Sequence, residues 1–191
     1  RQPMEDGQIS ISRASGSFTF PAKFMMVASM NPCPCGYLGD PTHDCSCSQG
    51  QIDKYLGKIS GPLLNRIDIQ IEVLPVKYED LKDNRVEETS YEIKKRIIKA
   101  RNIQLQRYKN MGIITNSELS TKGIAKFCKV NKDSEILLKN AFETLGLSVR
   151  AYNKILKVAR TIADLEDFEN IETKHIAEAI QYRSLDRKYW R

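Results

Sequence analysis

The chain has 191 residues, 41% hydrophobic and 28% charged, enough for one or two small domains to bury a core. No apolar run reaches the ~18 residues of a membrane helix, and the apolar content is too high for a disordered chain, so neither class is indicated. Thirty Lys and Arg against 24 Asp and Glu give a net charge of +6, which fits phosphate-bearing partners but is a mild excess spread along helices, as on a solvated surface.

Arg1-Gln2-Pro3 contains no initiator Met, and Arg1 to Gly7 reads as the end of an element begun upstream, so a piece of a longer protein is expected. Without a secretory pattern, a cytoplasmic location is expected. Gln8 to Arg13 alternates Ile9 and Ile11 with Ser10 and Ser12, Ala14 to Ser17 supplies a turn, and Phe18 to Phe20 returns, which predicts a hairpin. Phe24 to Met30 is nearly continuous apolar sequence, the pattern of a strand buried on both faces of an α/β sheet. Ile67, Ile69 and Ile71 alternate with Asp68, Gln70 and Glu72, predicting a second, half-exposed strand.

After residue 85 the period becomes helical. The pattern predicts a helix from about Glu87 to Tyr108, with Ile93, Ile97, Ala100, Gln104 and Tyr108 on one stripe beside Ile98 and Leu105. Shorter helices are expected at Lys122 to Cys128 and at Asp133 to Leu145, the latter stopped by Gly146. Ser148 suits the N-cap of a longer helix carrying Tyr152, Ile155, Leu156, Ala159 and Ile162, and Thr173 the cap of a last one ending near Tyr182.

Cys33, Cys35, Cys45 and Cys47 form a Cys-x-Cys pair repeated across a nine-residue loop containing Gly36, Gly39 and Asp40-Pro41. Four thiolates suit a structural tetrahedral zinc, with free thiols as the alternative, and His43 in the same loop reads as solvated. Asn31 ends the apolar run of Phe24 to Met30; there its amide can hold a water or a phosphate oxygen, or simply start an Asn-Pro turn. Arg66, just before Ile67, can reach a transferring phosphoryl group in a neighbouring subunit, or pair with Asp68. Arg150 falls in the first turn of a helix, where the dipole disfavours a cation unless an anion is also bound, although snorkelling explains it equally. No Gly-x4-Gly-Lys-Ser/Thr occurs, and no apolar strand ends in Asp-Glu, so the loop that cradles phosphates and the acidic pair that holds magnesium are not in this sequence.

Arg1 to Gly7, Phe20 to Phe24, Met30 to Asp40, Ile59 to Ile69, Leu147 to Tyr152, Ile155 to Leu165 and His175 to Arg183 together resemble the magnesium-chelatase-like AAA+ ATPases of bacteria, the ComM or YifB group. The resemblance implies an α/β remnant of an AAA+ core (terminal strands and hairpin, residues 1–84, with the Cys-rich loop), followed by an all-α helical lid over residues 85–191. It implies sensor 1 at Asn31, an arginine finger at Arg66 and sensor 2 at Arg150, serving ATP and Mg²⁺ held by the parent protein. Asn65 and Val149 stand where the family often has Asp and Ala. The hairpin resembles the insertion that related hexameric motors direct to their pore, where Arg13 and Lys23 would meet DNA phosphates. The implied partners are the upstream half of the same ATPase, neighbouring subunits of a homo-hexamer, and DNA, with no membrane. The implied parent is a branch-migration helicase acting in natural transformation. The alternatives are a zinc-stabilised DNA- or protein-binding module without catalysis, and the ATPase subunit of a magnesium chelatase.

Overall fold

Residues 2–76 and 87–183 are described by a computed structural model, in which the chain divides into two units, the sequence passing from one to the other between Ile67 and Asp68. The expected division between residues 84 and 85 lies outside the described residues.

The first unit begins with α1 (Gln2–Asp6), β1 (Gln8–Arg13) and β2 (Gly16–Pro21). The strands pair antiparallel as the alternation predicts, with Ile9 opposite Phe20 and Ile11 opposite Phe18 on one face. On the other face the hydroxyls of Ser10 and Thr19 lie 3.1 Å apart and those of Ser12 and Ser17 2.9 Å apart. The connection is Ala14-Ser15 alone, tighter than the sequence suggests, because Gly16 takes φ 140° and joins the ladder opposite Arg13. Two helices follow, α2 (Gln49–Leu56) and α3 (Gly61–Leu64).

The expected strands at Phe24 to Met30 and Ile67 to Ile71 do not form. Among the described residues the hairpin is the only sheet. Phe24 to Met30 is exposed throughout, with Met25 at 89%. Its apolar pattern calls for a neighbouring strand to complete the backbone ladder, and no described segment supplies one. In the second unit, Gln70 donates its N–H to the Tyr182 carbonyl at 3.0 Å.

The second unit is helical: α4 (Ser90–Arg107), α5 (Thr121–Phe127), α6 (Lys132–Leu145), α7 (Val149–Leu165) and α8 (Thr173–Gln181). Local capping chemistry sets most of their starts. The hydroxyl of Thr89 accepts from the Glu92 N–H while the Glu92 carboxylate accepts from the Thr89 N–H, which starts α4 three residues later than expected. Ser120, Asn131 and Ser148 accept from Gly123, Ser134 and Ala151. Gly146 ends α6 with φ 57°. The cap of α8 is Glu172 and not Thr173, because the His175 ring turns back and its Nδ1 accepts from the Glu172 N–H at 2.9 Å. Leu119, Ile124, Leu138, Ile155, Ala159 and Ile176 pack in the core. Only the end of the α4 stripe, Ala100, Gln104 and Tyr108, joins the interior, while Ile93, Ile97 and Ile98 remain exposed.

A charged network runs through this interior. Asp164 on α7 is fully buried and accepts two hydrogen bonds from Arg107 of α4, at 2.5 and 2.8 Å. Arg160, one turn earlier and 3% exposed, donates its Nε to Asp164 and its two Nη groups to the carbonyls of Phe168 and Glu169. Asn116 donates to Asp164 and accepts from the Tyr108 hydroxyl at 2.6 Å. Removing the carboxylate strands two guanidinium groups away from water. Asp164→Ala is therefore expected to destabilise the second unit by about 3–5 kcal/mol, read as a fall in the denaturant midpoint; a loss of under about 1 kcal/mol would show that the arginines find other partners.

Candidate functional site

The four cysteines converge. Cys33 Sγ lies 3.3 Å from Cys35 Sγ and 3.6 Å from Cys45 Sγ, Cys35 and Cys45 are 3.5 Å apart, and all four sulfurs lie within 4.8 Å of one another. These gaps are too long for a disulfide at about 2.05 Å, and match the ~3.8 Å edge of a tetrahedron whose metal–sulfur bonds are about 2.3 Å. Four sulfur donors complete such a sphere and leave no position for a reacting water, so the cluster fits a structural metal ion. His43 stays outside it, stacked on Tyr37 at 5.0 Å with its Nδ1 2.9 Å from the Thr42 hydroxyl.

Backbone groups of the loop aim at the sulfurs. A hydrogen bond from the Tyr37 backbone, helped by the neighbouring thiols of Cys33 and Cys47, holds Cys35 down at about 5 against the opposing effect of burial. At Cys45 a hydrogen bond from the Cys47 backbone pulls the thiol down, but burial and the adjacent Cys35 and Cys33 outweigh it and push the group up to about 12. Cys47 is also raised, chiefly by burial. Such splitting is what closely packed thiols do when they share one negative charge, and a metal cation would draw the remaining protons off. Cys33 is fully buried, and α2 closes over it with Ile52 and Leu56. The Gln51 side chain accepts from the Ser48 N–H at 2.9 Å and fixes the start of this helix. Sequence reading missed α2, although Ser48 and Gln51 have capping-box spacing and signalled it.

Asn31 opens the cysteine loop, exposed, with its amide nitrogen 3.9 Å from where a Cβ on Gly36 would stand. Arg66 follows α3 and folds back over it, donating Nη1 to the Pro62 carbonyl at 2.6 Å and Nη2 to Glu5 at 2.6 Å. Asp68, the alternative partner, bonds to Lys154 at 2.7 Å. Glu5 is the residue that sequence reading missed, and its spacing from Arg66 gave no signal. Arg13 sits at the hairpin tip and Lys23 at its base, against Gly7. Arg150 lies in the second unit, exposed in the first turn of α7 beside the Ser148 cap. No helix among the described residues is long and apolar enough to cross a membrane.

Residues 1–81 match the family model described as magnesium chelatase, subunit ChlI, and residues 87–183 match the model of that subunit's C-terminal part. The chain belongs to the magnesium chelatase ChlI family. Among curated relatives, the competence protein ComM of Haemophilus influenzae is 44% identical over 98% of this chain, and the uncharacterized protein YifB of Escherichia coli is 38% identical over 98%. The chain spans 36% of the length of each. This confirms the resemblance to the ComM and YifB group read from the sequence.

A metal held by these four sulfurs would stabilise the first unit, and its loss would be felt there. Cys33→Ser, or treatment with a strong chelator, is expected to expose the remaining cluster thiols to a thiol reagent. It should cost the folding of this unit on the order of 10 kcal/mol, while the unfolding transition of the second unit stays in place. Unchanged thiol reactivity after either treatment would rule out a bound metal.

Proposed function

We propose that the chain is the C-terminal part of an ATP-driven DNA motor built as a ring of identical subunits. The parent would be a AAA+ ATPase, acting on DNA by branch migration during natural transformation or recombination. Membership of the ChlI family across both units supports the ATPase reading, and the relatedness to a protein named for competence supports the DNA reading. In this account Asn31 is sensor 1 and orients the attacking water, and Arg150 is sensor 2. Arg66 is the arginine finger, which meets the phosphates of ATP held by the neighbouring subunit. Arg13 and Lys23 on the hairpin meet DNA phosphates. Zinc in the cluster of Cys33, Cys35, Cys45 and Cys47 serves the fold and takes no part in the reaction.

The observation that carries the proposal is the state of Arg66. Its guanidinium donates to the Pro62 carbonyl and to Glu5, its side chain is 16% exposed, and it lies two residues after the helix Gly61–Leu64, inside the segment that matches the family. A planar cation held in place by hydrogen bonds suits recognition of phosphate oxygens. The chain by itself would hydrolyse no ATP, since the phosphate-cradling loop and the magnesium-binding acids are not in its sequence.

Replacing Arg66 by Ala in the full-length protein is expected to lower ATP turnover by roughly 10³- to 10⁵-fold, equivalent to about 4–7 kcal/mol of transition-state stabilisation. Steady-state hydrolysis measured on the assembled ring checks this. Wild-type turnover in that variant would remove the finger assignment.

A further inference from the structure

Glu5 and Arg66 are 61 residues apart in sequence, yet their side chains meet at 2.6 Å. Glu5 is the penultimate residue of α1, and after Asp6 and Gly7 the chain becomes the hairpin. Gly7 joins the two elements closely. Its φ of 63° turns the chain out of α1, its N–H donates to the Pro3 carbonyl at 3.0 Å, and its carbonyl accepts from Ala22 at 2.8 Å, where the hairpin returns. A Cβ added to Gly7 would stand 3.2 Å from Lys23 Cγ, so the joint has little slack. A displacement of the hairpin base is thereby transmitted to α1 and to the Glu5 carboxylate.

At the other end of the ion pair, Nη1 of Arg66 is taken by the Pro62 carbonyl and Nη2 by Glu5. A phosphate oxygen competes with the Glu5 carboxylate for Nη2, because both are anionic acceptors of charge-assisted hydrogen bonds. We infer that Glu5 is a positioning residue that shares Arg66 with the nucleotide of the neighbouring subunit and so couples that nucleotide to the hairpin. This inference rests on the reading of Arg66 as a finger. When phosphate takes Nη2, Glu5 loses its bond to Arg66 and the hold of Arg66 on the hairpin base weakens. Because coupling between two sites is reciprocal, a DNA strand that pulls on the hairpin withdraws Glu5 and releases Arg66 toward phosphate.

The test compares wild type, Glu5→Gln and Arg66→Ala in the full-length protein, measuring kcat and KM for ATP with and without single-stranded DNA. Glu5→Gln removes the charge but keeps the shape, so basal turnover should rise. The ratio of turnover with DNA to turnover without it should fall to about 1, from a coupling that is ordinarily about 5-fold or more. Glu5→Asp, which keeps the charge on a shorter arm, should give an intermediate ratio, and it decides the matter if the Gln variant fails to fold. A wild-type ratio in Glu5→Gln with an inactive Arg66→Ala overturns the coupling and leaves the finger intact. Full activity in Arg66→Ala overturns the finger and the coupling with it.

Discussion

The second unit is organised around one carboxylate. Asp164 is shared by two guanidinium groups, from Arg107 on α4 and Arg160 on its own helix, and by the Asn116 amide. One buried and one half-buried cation on one anion leave an excess positive charge, which the carbonyls of Phe168 and Glu169 meet by turning toward Arg160. The loop after α7 is thereby bent back onto the helix, and the segment holding Asn116 is pinned between α4 and α7. Cys128 registers how dry this interior is. Burial pushes its thiol up to about 11, although the nearby Arg160 and Arg107 pull the other way.

Among the described residues, the first unit has a much smaller interior. Its buried apolar residues beside the cluster are Ile52 and Leu56, with Cys33 at the centre. A core of that size provides little hydrophobic stabilisation, and a metal bound by the four sulfurs would cross-link the short loop into one conformation. The same unit exposes the apolar run of Phe24 to Met30 and presents Ile9, Ile11, Phe18 and Phe20 on one face of the hairpin. Its charged centre is the pair of Glu5 and Arg66, which ties the start of the unit to its end.

Much of the local architecture was legible in the sequence. Period-two alternation gave the hairpin and its facing pairs, and Ser148 and Gly146 marked a helix start and stop, because caps are chemistry between residues a few positions apart. The spacing of the four cysteines pointed to the cluster for the same reason: ten or fewer residues separate successive ligands, and the loop can hardly avoid bringing them together. Failures came where the pattern requires a distant partner. An apolar run such as Phe24 to Met30 is a strand only when another strand lies beside it, and Ile93 and Ile97 are core residues only when something packs on them. Gln104 and Tyr108 were assigned to the apolar stripe without their roles, since nothing local indicates that their polar ends meet Asn116.

By itself the sequence determined the hairpin, the helical second half, the convergence of the cysteines and the family, since each rests on residues close in the chain or on long matching segments. Only the tertiary structure decided which charges meet. Arg66 had Asp68 two positions away and bonds to Glu5, while Asp68 goes to Lys154. Arg107 and Asp164, 57 residues apart, share two hydrogen bonds. A carboxylate has no preference among guanidinium groups of equal chemistry. Its partner is the one that packing brings within hydrogen-bond reach as both leave water, and that is a property of the whole fold.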